Sequence, residues 1–129
     1  MITKPVLLKY LLVVSICAVS SFAAYAHGGG CNVPRFHFNA GGTTPIRVYA
    51  LRDSPCFLRL RATNLSVSRA RGPAHGVLQR SSVSNYVYHP TRGYLGPDYI
   101  ELNVRYNPSG SPTSASTKIE INIEVIKPQ

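Results

Sequence analysis

The chain has 129 residues, with 14 Lys and Arg against 5 Asp and Glu, a formal net charge of +9 at pH 7. The acids are Asp53, Asp98, Glu101, Glu120 and Glu124. So few carboxylates exclude the acidic clusters of calcium sites and provide no local carboxylate pair for general acid–base catalysis.

Residues 1–26 read as a secretory signal. Lys4 and Lys9 give a positive start, 10–19 is largely apolar, and Ala24-Tyr25-Ala26 forms an A-x-A cleavage site. The apolar core is short for a membrane span, and no later run reaches that length. A secreted or periplasmic product with no transmembrane segment after cleavage is expected. Cys17 leaves with the signal, and Cys31 and Cys56 remain. In an exported domain such a pair is most simply a structural disulfide. It would close a loop of about 25 residues and contribute about 3 kcal/mol in the chain-entropy model. The alternative, a metal-binding or catalytic thiol, lacks a C-x-x-C spacing.

Cleavage after Ala26 makes His27 the first residue of a glycine-rich lead-in. An N-terminal amine beside an imidazole can chelate copper, with His37, His75 or His89 as a further ligand. A periplasmic copper-binding protein is therefore the alternative functional reading. No cofactor is expected under the main one. Residues 27–43 form the lead-in, with 35–39 expected as a short first strand, and 44–129 form the sandwich proper.

In 45–51, Ile46, Val48 and Ala50 share one face while Arg47 and Tyr49 take the other. Period-two alternation marks a strand with one buried face. Residues 52–55 read as a turn. Cys56, Leu58 and Leu60 then share a parity, which points Cys56 inward. Leu65 and Val67 mark another strand, and 77–79 a further short one. Tyr86 and Tyr88 flank β-favouring Val87. Ile100, Leu102, Val104 and Tyr106 alternate with Glu101, Asn103 and Arg105. Between these strands Pro90, Gly93, Gly96 and Pro97 force a corner. Asp98 is expected to accept hydrogen bonds from nearby turn amides, and Tyr94 to dive inward and plug the corner. After a polar loop, 107–116, the residues Ile119, Ile121, Ile123 and Val125 define a closing strand. No segment shows helical periodicity. Seven or eight short strands separated by turn signals predict an all-β, Ig-like antiparallel β-sandwich.

Three pieces in order carry a resemblance: Pro73-Ala74-His75-Gly76-Val77-Leu78, Tyr86-Val87-Tyr88-His89-Pro90, and Gly93-Tyr94-Leu95-Gly96-Pro97-Asp98-Tyr99-Ile100. Their sequence and spacing resemble the bacterial Ig-like (cadherin-like) domain family over 72–126. The resemblance implies a single Ig-like sandwich of the kind found in exported adhesion and envelope proteins. Tyr94, Gly96 and Asp98, read above from the turn pattern, are the expected structural corner residues.

Charge is the main functional signal. Arg47, Arg52, Arg59, Arg61, Arg69, Arg71 and Arg80 occupy one segment whose sole acid is Asp53. Guanidinium forks suit phosphate, sulfate and carboxylate. Arg47, Arg59, Arg61, Arg69 and Arg71 are the candidate anion-binding residues, with Arg59 and Arg61 on one strand face. The expected partner is an anionic envelope component or an acidic protein; nucleic acid is not expected in that compartment. The plainer reading is a basic surface that serves solubility alone. An enzyme is not expected, since a hydrolase would need His75 or His89 beside both a serine and an acid. Sequence leaves the oligomeric state open, although an unpaired edge strand can recruit another chain.

Overall fold

The computed structural model describes residues 30–129; residues 1–26, expected to be a signal and containing Cys17, and the residue His27 lie outside the described residues. Eight strands are formed: β1 (Cys31–Asn32), β2 (Thr43–Leu51), β3 (Cys56–Arg59), β4 (Thr63–Arg71), β5 (Gly76–Arg80), β6 (Asn85–Pro90), β7 (Gly96–Asn107) and β8 (Ala115–Ile126). They make a five-stranded sheet in the order β1-β2-β8-β7-β4 and a three-stranded sheet in the order β3-β6-β5. The protein is an all-β sandwich. No helix among the described residues is long and apolar enough to cross a membrane.

The alternating residues make the core. Ile46, Val48, Ala50, Leu58, Leu60, Ile100, Leu102, Val104, Ile119, Ile121, Ile123 and Val125 are all buried between the sheets. Tyr86 and Tyr88 of the small sheet meet them from the other side. Each buried aliphatic side chain contributes about 1.5–3 kcal/mol relative to exposure, so these paired faces dominate the stability.

One pairing departs from the antiparallel expectation. β2 runs parallel to β8, from Thr43 opposite Lys118 to Leu51 opposite Ile126. A parallel pair needs a long connection. Here the chain leaves β2, crosses to the small sheet at Cys56, and passes between the two sheets until β8, its last strand, inserts between β2 and β7. Both ends of the described chain therefore meet in one sheet.

Residues 35–39 make no strand, contrary to expectation. Their alternation is nevertheless real: Phe36 and Phe38 pack on the core while Arg35 and His37 face solvent. The segment drapes across an open side of the sandwich without joining a ladder.

The disulfide Cys31–Cys56 has a Cα–Cα distance of 5.2 Å. It ties β1 of the large sheet to β3 of the small one, and its presence points to an oxidising compartment.

At the end of the sandwich near Cys56, Asp98 organises the corner. Its carboxylate accepts from the backbone N–H of Ala74 at 2.8 Å, His75 at 3.1 Å and Tyr99 at 2.9 Å. It also accepts from the Tyr88 hydroxyl at 2.6 Å. Two of the amides belong to the loop before β5, more than twenty residues upstream, so one carboxylate ties β7 to β6 and to the loop that leads into β5. Tyr94 does not dive inward. Its ring stacks on His75 with centroids 4.1 Å apart, and its hydroxyl returns to the Pro97 carbonyl at 2.5 Å. The corner is already filled by Tyr88, so Tyr94 covers it from outside. Gly96 has φ +129°, which L side chains rarely adopt. At Gly76 a Cβ would lie 2.5 Å from the His89 carbonyl oxygen, so the close approach of β5 to β6 requires glycine.

Burial, and then the bond to Asp98, push the Tyr88 phenol far above its ordinary value. A phenol held neutral by the fold contributes stability that is fully present below about pH 10 and is lost as pH rises and the unfolded chain ionises. In urea denaturation at pH 7, Tyr88→Phe is expected to cost about 1–2 kcal/mol and Asp98→Ala about 3 kcal/mol or more, because the latter removes the acceptor of four hydrogen bonds, that of the buried Tyr88 hydroxyl among them. Equal costs would show that the carboxylate is not what holds the corner. Tyr88→Phe should also flatten the fall in stability above about pH 10.

Candidate functional site

The five arginines singled out from sequence do not share a face. Arg47 lies on β2, opposite Asn122, on the outer surface of the large sheet. Arg69 donates to the Leu78 carbonyl at 2.5 Å, and Arg71 sits over the Tyr99 ring at 5.6 Å. Arg80 reciprocates by donating to the Val67 carbonyl at 3.4 Å. Arg69 and Arg80 thus lace β4 of one sheet to β5 of the other, and their guanidiniums serve the fold. Arg47, Arg69 and Arg71 drop out of a shared anion site.

Arg59 and Arg61 behave differently. Both are exposed, with Arg59 steadied by its Nε donating to Asn85 Oδ1 at 3.3 Å. They line an open groove of about 1040 Å3 between the 33–38 segment, β3 and the end of β7. Arg35 and His37 line it from the draped segment, with Phe57 from β3 and Tyr106 from β7. No Asp or Glu is among its lining residues. The ion pairs among the described residues are Arg52–Asp53 at 3.7 Å and Lys118–Glu101 at 3.1 Å, so none involves Arg35, Arg59 or Arg61.

Arg35 was not anticipated as part of the site, yet a signal for it existed. The disulfide fixes residue 31 beside residue 56, and residues shortly after each cysteine are thereby drawn along the same side. The alternation of 35–38 then decides that Arg35 faces out while Phe36 and Phe38 face in. Phe38 meets the Tyr106 ring edge-on at 4.8 Å, and the Tyr106 hydroxyl donates to the Phe38 carbonyl at 3.4 Å. These contacts hold the groove's outer wall.

Three guanidiniums with no opposing carboxylate create a local positive potential that concentrates anions. Each presents a planar fork suited to carboxylate, sulfate or phosphate. Phe57, 50% exposed, adds an apolar surface beside them. Because the groove is open, its attraction is screened by salt.

The candidate copper ligands are separated. His37 lies in the groove, whereas His75 and His89 lie at the opposite end, near the corner. Among the described residues no group of three His, Cys, Asp or Glu could hold a metal ion. His75 is engaged in its stack on Tyr94, and the Asp98 carboxylate is occupied by Tyr88 and backbone amides rather than by an imidazole.

No protein-family model matches the chain, and neither does any curated protein sequence. Among solved structures it is similar to an endo-fucoidan hydrolase from glycoside hydrolase family 107, with a TM-score of 0.43 and 16% identity, covering 86% of this chain and 15% of that one. The chain spans a small fraction of that enzyme, and nothing about activity passes from it to this protein.

Phe38→Ala should lower stability by about 2–3 kcal/mol, since a half-buried aromatic anchor is lost, and it should free the draped segment. Limited trypsin digestion is expected to cut after Arg35 faster in the variant than in the parent. An unchanged cleavage rate would show that Phe38 does not anchor this wall.

Proposed function

We propose that the chain is an exported, non-enzymatic Ig-like module that binds an anionic component of the cell envelope through the groove beside β3. The observation that carries this reading is the meeting of Arg35, Arg59 and Arg61 in a groove with no acidic residue among its lining. Export is supported by the signal-like residues 1–26 and by a disulfide that an oxidising compartment maintains. The Ig-like reading is supported by the strand order, by the parallel pairing of β2 with β8, and by the tie between sheets. A binding role is favoured over a catalytic one because Asp98, the one buried carboxylate, is consumed by structural hydrogen bonds.

Binding of the purified mature protein to heparin and to polyglutamate, measured across a salt series, tests the reading. Affinity should fall steeply with salt, and the Arg59→Ser/Arg61→Ser double variant should bind at least about tenfold more weakly, with a salt slope shallower by about two. Arg47→Ser, away from the groove, should leave both nearly unchanged. Salt-insensitive binding, or equal losses from Arg47→Ser, would overturn the assignment of the groove.

A further inference from the structure

The backbone of β3 adds a second recognition element to the same groove. β3 is an edge strand paired only with β6, through Cys56–Tyr88, Phe57–Val87, Leu58–Tyr86 and Arg59–Asn85. In an antiparallel ladder, residues alternate between those bonded to the neighbour and those whose N–H and C=O point away. The Leu60 amide donates to the Ser84 carbonyl at 2.8 Å, which continues this register by one step. Leu60, Leu58 and Cys56 are therefore the bonded set. Phe57 and Arg59 turn their backbone groups to the other side.

The same alternation across β6 and β5 supports the phase. Ser81 N–H donates to the Asn85 carbonyl and Thr91 N–H to the His75 carbonyl, so Leu78 must direct its carbonyl outward. That is the carbonyl that Arg69 meets.

The open edges are treated differently. On the β4–β5 side, guanidiniums occupy the outward carbonyls of Leu78 and Val67. On β2, Pro45 removes a donor. On β3, no hydrogen bond among the described residues reaches the backbone N–H or C=O of Phe57 or Arg59. The draped segment does not pair with them, and the groove lies between it and β3. The side chains flanking these free groups are Arg35, Arg59, Arg61 and Phe57.

We infer that the groove takes an extended acidic peptide segment, which adds to β3 as an extra strand through the free N–H and C=O groups of Phe57 and Arg59 while its carboxylates meet Arg35, Arg59 and Arg61. Strand addition supplies affinity through the main chain and selectivity through alternate side chains. Charge complementarity selects the acidic occupant, since the groove offers three cations and no anion. At about 3.3 Å per residue, a segment of four to six residues covers the length of β3. The inference rests on the anion-binding reading of this groove and names its ligand.

The test uses the mature protein with a blocked hexapeptide alternating glutamate and valine, and two versions N-methylated on either alternate set of residues. Methylation of the set facing β3 should weaken binding about tenfold or more, while methylation of the other set should change it less than about twofold. Amide exchange at Phe57 and Arg59 should slow in the complex with the unmodified peptide. If both methylated peptides bind like the parent, with no protection at Phe57 and Arg59, strand addition is overturned and recognition by charge alone remains. If the peptide, polyglutamate and heparin all fail to bind, the anion-binding reading falls and this inference falls with it.

Discussion

The covalent tie between Cys31 and Cys56 is the constraint on which the rest of the arrangement depends. It joins an edge of the large sheet to an edge of the small one. In doing so it limits how far apart those edges can move and fixes where the 33–38 segment begins. Closing this loop restricts the unfolded chain by about 3 kcal/mol. Its local effect is more specific, because it sets Arg35 on the same side as Arg59 and Arg61. Without the tie, β1 would hold only two paired residues at the end of β2.

A two-sheet sandwich has two lateral openings, and this protein closes them by different means. On one side Arg69 and Arg80 exchange guanidinium bonds with the carbonyls of the opposite sheet. Those charges are spent on edge protection, which blunts unwanted pairing. On the other side Phe36 and Phe38 fill the gap from a segment that forms no ladder. That segment leaves a groove and an unpaired strand edge beneath it. The contrast between a laced side and a draped side is what directs attention to β3.

The core was legible in the sequence because period-two alternation is a strong and local signal. Ile119, Ile121, Ile123 and Val125 could be assigned to the inner face with no further information, and they are buried. The cysteine pair was equally legible. The parallel partnership of β2 with β8 was not, since strand order is set by long-range packing and not by the residues of either strand. Tyr94 was misplaced for a related reason: Tyr88, one strand earlier, fills the corner beneath Asp98 first. The arginines show the same limit. A list of cations along a chain does not say which carbonyls will claim them, and Arg69 was claimed by Leu78. Arg35, isolated in the lead-in by sequence, joins the groove through a covalent bond four residues away.

The central claim is that the groove is assembled by the cross-sheet tie. The most direct measurement compares heparin affinity and its salt dependence in the parent and in the Cys31→Ser/Cys56→Ser variant, at a temperature where circular dichroism shows both to be folded. The expected result is a several-fold weaker interaction in the variant, with the salt slope reduced by about one as Arg35 leaves the site. An affinity and slope identical to those of the parent would contradict the claim.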